Sequence, residues 1–264
     1  LDIRVAFGEG FGNAFAAMVI GSPILRDSAG AGQLGEGRFN VESDASDDGW
    51  FSENSVQELI YDLFDADNEG ADTLTIGFAP VWQVLTGAER STPALTSIFP
   101  FMGGLRELRP ETPAQIDQLV NAEGISSGIM DAFAAGETNF PVTAAQSEVL
   151  PVYTSITIGG AARVLRSTGR FGSENKLSNH RFLKLDVPMQ RSVRIRVSAP
   201  ARDADIVILR GADLLRYAQE NGPGDEDFTI LLPSGTYVLD VYDCGNAACG
   251  PDQPATTDIT VSVN

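Results

Sequence analysis

A glutamate and an asparagine, spaced four residues apart near the start of the chain, are the residues best placed to do chemistry. Glu9 and Asn13 lie in the stretch Ala6–Met18, whose pattern predicts a helix over about residues 2–20. At about 100° per residue the two side chains share one face, one turn apart. A carboxylate on such a helix face is able to lie close to a partner helix when its neighbours there are small.

The remainder of this helix explains how such a face is made. The face of Glu9 carries only small companions, Ala6, Ala16 and Ala17, whereas the predicted apolar face contains Ile3, Phe7, Phe11, Ala14, Phe15 and Met18. Gly8, Gly10 and Gly12 lie on the flanks, and each glycine costs roughly 1 kcal/mol relative to alanine in a helix. We therefore expect another backbone to approach this helix closely on the side of Glu9.

The segment Gly8-Glu9-Gly10-Phe11-Gly12-Asn13-Ala14-Phe15 resembles the second active-site helix of the gluzincin metallopeptidases, the thermolysin and fungalysin group. The resemblance implies that Glu9 is the third zinc ligand. It also implies that Asn13, where the family usually has Asp, orients a histidine ligand. In that family an H-E-x-x-H helix supplies the other two ligands and the general base, and the substrate is a protein or peptide.

This chain departs from the family in two places. It contains no H-E-x-x-H, and its one histidine, His180, lies far downstream. The resemblance thus implies that the missing ligands belong to an N-terminal portion of the same precursor, and that this chain alone is inactive. Residues 49–53 also lack the histidine that precedes the next helix in the family. The alternative is a non-catalytic extracellular binding, adhesive or self-assembling protein on a peptidase-like scaffold.

Helical periodicity continues up to about residue 148. A helix begins near a possible capping box of Ser55 and Glu58, and apolar positions at helical spacing predict further helices at about 77–88, 92–107, 112–122 and 125–135. Residues 24–50 are predicted to be a long loop with one short strand at 38–41. We therefore predict an all-helical, peptidase-like lobe over residues 1–148.

An acidic segment follows the second helix. Residues 65–70 resemble the first half of an EF-hand loop, but Ile76 occupies the position of the bidentate Glu, which excludes an EF-hand of the usual form. Two interpretations remain open. One is a looser calcium site that contains Asp65, Asp67, Glu69 and Asp72, and the other is a solvated loop.

From Val152 onward the hydrophobic period changes from 3.6 to 2, which predicts a jelly-roll-like antiparallel β-sandwich over residues 152–264. The segments 182–187, 203–209 and 232–239 are similar to bacterial pre-peptidase C-terminal domains, small sandwiches appended to secreted peptidases. That resemblance implies a role in secretion, substrate contact or maturation. The predicted fold class is therefore multidomain α + β, a helical lobe followed by a β-sandwich.

The composition of the chain restricts the classes of partner that it is expected to bind. The 264 residues carry a net charge of −18, with 36 acidic and 18 basic residues, which argues against nucleic-acid binding. No apolar run reaches the roughly 18 residues of a membrane span. Cys244 and Cys249 predict a short-loop disulfide, with two free thiols as the alternative, and hence a secreted, extracellular or periplasmic protein. His180 is predicted to be a surface residue just before a strand.

Overall fold

The computed structural model describes residues 1–43, 47–67, 70, 72–139, 149–169, 177–219, 224–247, 249 and 255–264. These residues form two compact units, one made mainly of residues 3–90 and 96–131 and the other of 91–95 and 132–264. Residues 140–148 lie outside the described part of the chain, so the domain boundary at 148–152 stays a prediction.

The first unit contains five α-helices among the residues that the structure describes. They are α1 (Ile3–Ile20), α2 (Glu53–Asp62), α3 (Phe78–Val84, continued by a π-helical turn at Leu85–Glu89), α4 (Ile98–Leu108) and α5 (Pro113–Ala122). The predictions of α1 and α5 are confirmed to within a residue or two.

Two of the helix predictions need correction. The helix predicted at 92–107 begins only at Ile98. Pro93 disfavours helical geometry at Thr92, and the later start places Pro100 in the first turn of α4, where a proline removes no helical hydrogen bond. The helix predicted at 125–135 is absent, and these residues are turns and irregular backbone. Gly124 adopts φ +63°, which ends α5 and turns the chain away from the helix axis.

A β-hairpin interrupts the helical unit, so the prediction of an all-helical lobe is wrong. Strands β1 (Ile24–Ala29) and β2 (Gly35–Asn40) pair antiparallel, and the chain reverses between them through Gly30 and Gly32 at φ +81° and +67°. Leu25 is the one buried residue in the two strands. The alternation of apolar and polar residues that marks a half-buried strand is therefore missing from this sequence.

Helix α1 packs against α2 through a face of small residues. Its buried residues are Ile3, Ala6, Phe7, Gly10, Ala14, Ala17 and Met18. A Cβ atom on Gly10 would lie 2.6 Å from the Glu53 carbonyl oxygen and 2.7 Å from Val56 Cβ, so a second backbone does approach α1 closely. The predicted side is wrong, because the approach is on the face that packs on α2 and not on the exposed side of Glu9. The prediction that Phe15 lies on a buried apolar face of α1 with Phe11 is wrong, because Phe15 is 40% exposed. The small residues of α1, rather than these phenylalanines, face α2.

The second unit is a β-sandwich, as predicted. Its described strands are β3 (Tyr153–Ile156), β4 (Arg163–Ser167), β5 (His180–Val187), β6 (Arg191–Ser198), β7 (Ala204–Arg210), β8 (Asp213–Ala218), β9 (Glu226–Leu232), β10 (Gly235–Asp243) and β11 (Thr257–Val263). They form sheets of order β3-β5-β10-β7-β8 and β4-β11-β6-β9, whose apolar faces share one core. One pair departs from the antiparallel prediction, since β3 runs parallel to β5.

By length and composition, α1 is the one described helix that qualifies as a candidate membrane span, and it lies near the N-terminus. This is weak evidence, because a core helix of a globular protein meets the same test. The packing of α1 on α2 accounts for the apolar residues on its buried face.

Candidate functional site

One side of α1 is left uncovered by the described residues, and Glu9 lies on it. Glu9 is exposed, and a Cβ atom placed on Gly8 or Gly12 would have no atom within 4 Å. Val19, on the same side of the helix, is 72% exposed. We call this side, made by Gly8, Glu9, Gly12 and Val19, the open face of α1.

Asn13 lies at the boundary between the open face and the face that packs on α2. Its Nδ2 donates hydrogen bonds to Glu53 Oε1 at 2.9 Å and to Gln57 Oε1 at 3.0 Å. Both N–H groups of the amide are then in use, which fixes the orientation of the side chain. No described residue donates a recorded hydrogen bond to Asn13 Oδ1, so a hydrogen-bond acceptor remains beside Glu9.

The local sequence at the start of α2 positions the two acceptors of Asn13. The N-cap residue is Ser52, whose hydroxyl accepts a hydrogen bond from the Ser55 N–H at 3.4 Å, one turn earlier than the predicted capping box. The Ser55 hydroxyl in turn accepts from the Gly49 N–H at 3.0 Å. This places Glu53 in the first turn and Gln57 one turn later, on the face toward α1.

An open cleft of about 500 Å³ lies between strand β2 and helix α2. Its lining residues are Arg38, Phe39, Asn40, Ser43, Glu53, Asn54 and Gln57. Glu53 and Gln57 therefore line the cleft and also accept the hydrogen bonds from Asn13. Sequence reasoning missed this cleft because it predicted residues 24–50 as a long loop with one short strand at 38–41, and it did not predict the pairing of β1 with β2.

The acidic residues predicted as calcium ligands lie after α2. Asp72 is buried and its Oδ1 accepts a hydrogen bond from the Leu74 N–H at 3.2 Å, whereas Asp67 is exposed and Glu69 lies outside the described residues. Burial, together with the charges of Asp72, Glu58, Glu123 and Asp65, raises the pKa of Asp62 to about 8. The structure thus adds Asp62 to this acidic group, which the sequence did not single out.

His180 is not the surface residue that the sequence suggested. It is the first residue of β5, its side chain is only 14% exposed, and its Nδ1 lies 2.8 Å from Asp240 Oδ1. The ring also packs on Tyr242, with centroids 4.4 Å apart. Asp240 and Tyr242 lie on the same face of β10, so both contact the His180 ring. These contacts indicate a structural role for His180.

The end of the sandwich near the cysteines contains several buried polar groups. Cys244 and Cys249 form the predicted disulfide. Asp243 is fully buried and its Oδ2 accepts a hydrogen bond from Arg202 Nε at 2.7 Å. Burial, together with the charges of Asp203, Glu226 and Asp243, raises the pKa of Asp205 to about 7.

No protein-family model matches this chain, and no curated protein matches it. Solved structures similar to it include the pre-peptidase C-terminal domain of a collagenase from Bacillus anthracis, at 16% identity over 42% of this chain and 94% of that one, with a TM-score of 0.31. That domain is of the class that residues 182–239 resemble.

Two further solved structures are similar over the same share of this chain. A surface-associated copper-binding protein of Methylomicrobium album BG8 is 9% identical over 42% of this chain and 96% of that one, with a TM-score of 0.32. A periplasmic inhibitor of g-type lysozyme from Salmonella Typhimurium is 13% identical over 42% of this chain and 99% of that one, with a TM-score of 0.27. At such low identities and TM-scores, the likenesses carry no argument about what this chain binds or does.

Proposed function

We propose that this chain is the C-terminal part of a secreted zinc metallopeptidase, with Glu9 as the third zinc ligand. The observation that carries the proposal is the pairing of an exposed carboxylate at Glu9 with the acceptor oxygen of Asn13, on a side of α1 that no described residue covers. Two glycines on that side leave room for a second backbone to approach the carboxylate.

The donor chemistry of these two residues fits a zinc site. A carboxylate oxygen is one of the ligands that zinc takes in hydrolases, and catalytic sites hold three protein ligands. A histidine ligand usually donates its other ring N–H to a fixed acceptor. Asn13 Oδ1 is such an acceptor, because Glu53 and Gln57 hold the amide nitrogen. Asn13 lacks the charge of the Asp that is usual in the family, so it would increase ligand basicity less.

Zinc, when bound, lowers the pKa of a water ligand to about 7 and so supplies a nucleophile for peptide hydrolysis. The residues of this chain would contribute orientation. Glu9 would hold the metal from α1, Asn13 would fix one histidine from the N-terminal portion of the precursor, and α2 would fix Asn13. This chain alone would be inactive, since it contains no H-E-x-x-H.

The second unit would act as the appended domain of the peptidase, in secretion, substrate contact or maturation. Its disulfide between Cys244 and Cys249 is consistent with an oxidising, extracellular or periplasmic compartment. The net charge of −18 supports solubility there. Asp65, Asp67, Glu69 and Asp72 remain proposed calcium ligands that would stabilise the helical unit.

The test is caseinolysis by the complete precursor in the presence of zinc. Glu9→Gln should reduce kcat/KM by at least about a hundredfold, because the amide removes an anionic ligand from the metal. Glu107→Gln, an exposed change on α4, is the matched control and should leave activity unchanged. Equal activity of wild type and Glu9→Gln would refute the ligand role.

The alternative is a non-catalytic extracellular binding protein on the same scaffold. Residues 49–53 favour it, because they lack the histidine that stabilises the transition state in the family. An upstream sequence with a degenerate zinc motif, together with no caseinolysis by the wild-type precursor, would decide for this alternative.

A further inference from the structure

The cleft between β2 and α2 lies at a free strand edge. Strand β2 pairs with β1 on one side, and no described strand pairs with its other side. The cleft touches Arg38, Phe39 and Asn40, which are consecutive residues. Consecutive side chains of a strand project to opposite faces, so a cleft that touches all three runs along the edge of the strand rather than over one face.

The register of the hairpin shows which main-chain groups face this edge. The Val41 N–H donates to the Pro23 carbonyl at 3.0 Å, next to the pair Ile24–Asn40. Bonded and non-bonded pairs alternate in an antiparallel ladder, so Phe39 bonds to β1 and Arg38 does not. The N–H and C=O of Arg38 therefore point toward the cleft, as does the N–H of Asn40.

The cleft is lined by two charged side chains, and among the described residues Arg38 is ion-paired with Glu36 whereas Glu53 has no ion-pair partner. Asn54 Nδ2 donates to Asp47 Oδ1 at 3.4 Å, and Gln57 Nε2 donates to Asn54 Oδ1 at 3.5 Å. The Arg38 Nε donates to Glu36 Oε1 at 2.9 Å. Glu53 uses Oε1 for Asn13, and no described residue donates a recorded hydrogen bond to its Oε2. A ligand that donates hydrogen bonds and carries positive charge would complement these groups.

We propose that an extended polypeptide binds the free edge of β2 as a third strand, with a lysine or arginine side chain lying against Glu53. Main-chain bonds to Arg38 and Asn40 would set its direction and register, as in other cases of strand addition. Phe39, 38% exposed, offers an apolar surface beside the backbone. This proposal rests on the proposed function in one respect, since it takes a polypeptide as the substrate. It adds that the substrate presents a lysine or arginine side chain to Glu53.

The experiment measures binding of short synthetic peptides to this chain by calorimetry. The probes are an acetylated, amidated pentapeptide Thr-Val-Lys-Val-Thr, the same peptide with Glu for Lys, and versions N-methylated at single successive residues. In strand addition only alternate N–H groups bond to the protein. N-methylation at one parity should weaken binding about tenfold, while methylation at the other parity should leave it nearly unchanged.

The protein variants test the side-chain contact. Glu53→Gln keeps the shape and an acceptor oxygen for Asn13, and it should reduce the preference for Lys over Glu peptides from about tenfold to about twofold. Glu107→Gln, outside the lining, should retain the wild-type preference.

Equal effects of N-methylation at both parities would overturn the proposal, as would the absence of peptide binding at millimolar concentrations. Binding of a cello-oligosaccharide in place of the peptides would overturn it in favour of a carbohydrate site. Peptide binding here, with no hydrolysis by the zinc-loaded precursor, would refute the peptidase proposal alone. Hydrolysis by the precursor without peptide binding to this cleft would refute only the strand-addition proposal.

Discussion

Asp243 in the β-sandwich and Glu9 in the helical unit show two ways of placing a carboxylate. Asp243 is fully buried and accepts a hydrogen bond from Arg202 of the same unit. Glu9 is exposed, and a Cβ atom added at Gly8 or Gly12 would have no atom within 4 Å. In the sandwich a residue of the same unit pairs with the buried charge, whereas no described residue covers the charged face of α1. The comparison indicates that function should be sought on α1, and that substitutions should affect stability differently in the two units.

The largest effect is expected where a buried carboxylate would lose its ion-pair partner. Asp243 also accepts hydrogen bonds from the Gly245 N–H and the Thr257 hydroxyl, which Arg202→Ala would leave in place. Removal of the guanidinium should therefore destabilise the sandwich by about 3 kcal/mol, the lower end of the cost of breaking a buried ion pair. Arg194→Ala is the control, because Arg194 pairs with Asp227 at an exposed site and its loss should change the free energy of unfolding far less than Arg202→Ala does. Denaturant unfolding monitored by circular dichroism measures both. Similar losses for the two variants would show that Asp243 does not depend on Arg202.

The two sides of α1 give the next largest effect, with opposite signs. Gly10→Ala should destabilise the helical unit by about 1–3 kcal/mol, because the new methyl group would collide with the Glu53 carbonyl and with Val56. Gly12→Ala should instead stabilise this chain by about 0.5–1 kcal/mol, through helix propensity alone. Thermal unfolding of both variants is the measurement, and stabilisation by Gly10→Ala would contradict the described packing.

The same pair of variants sharpens the proposal about the precursor. If another helix approaches the open face of α1 there, Gly12→Ala should lose its stabilising effect in the complete protein and reduce caseinolysis. An unchanged gain in stability, with full activity, would indicate that nothing packs closely at Gly12.

Buried acids of the helical unit should make its stability depend on pH. Burial raises the pKa of Asp62 and of Glu89 to about 8, from ordinary values of 3.8 and 4.5. The folded state then holds protons that the unfolded state releases between about pH 4 and 8, so stability falls as pH rises through that window. We expect a lower Tm near pH 8.5 than near pH 5.5.

Substitution of Asp62 tests whether this group, rather than others in the chain, causes the pH dependence of the Tm. Asp62→Asn mimics the protonated acid, so it should flatten part of the pH dependence and raise the Tm near pH 8.5. Glu111→Gln, at an exposed position, should change neither. A Tm that rises from about pH 5.5 to 8.5 in the wild type would contradict the raised pKa values.

The smallest effect concerns calcium. Extracellular calcium sites bind with dissociation constants of about 0.1–1 mM, so about 10 mM calcium should raise the Tm by a few degrees if Asp65, Asp67, Glu69 and Asp72 form a site. Asp72→Asn should abolish the shift, and magnesium at the same concentration should give a smaller one. An equal Tm shift with both cations, or no Tm shift with either, would indicate that these carboxylates lie in a solvated loop without a specific calcium site.

Sequence periodicity predicted the parts of the fold in which one face is buried. The strands of the sandwich have regular apolar spacing, and their inward-facing residues form its core. In α1, the cost of glycine in a helix predicted a close backbone approach, but the structure has it at Gly10 on the α2 side rather than on the side of Glu9. The short strand predicted at 38–41 overlaps β2, but β1 and its pairing with β2 were missed. The side chains of the hairpin are almost all exposed, so no apolar pattern marks it.

The polar contacts were less predictable, because they join residues far apart in sequence. Asn13 bonds to residues 40 and 44 positions away, and His180 to one 60 positions away. No local spacing encodes such pairs, so the sequence indicated Asn13 only through its family resemblance and misplaced His180 on the surface. The cleft beside Glu53 was hidden for the same reason, since it depends on the unpredicted hairpin.

The most direct test of the zinc proposal is the metal content of the purified complete precursor, measured by mass spectrometry after dialysis against zinc-free buffer. We expect about one zinc ion per wild-type chain and much less in Glu9→Gln, while Glu107→Gln keeps the wild-type content. A Glu9→Gln precursor that retains zinc as fully as wild type would contradict the assignment of Glu9 as a ligand.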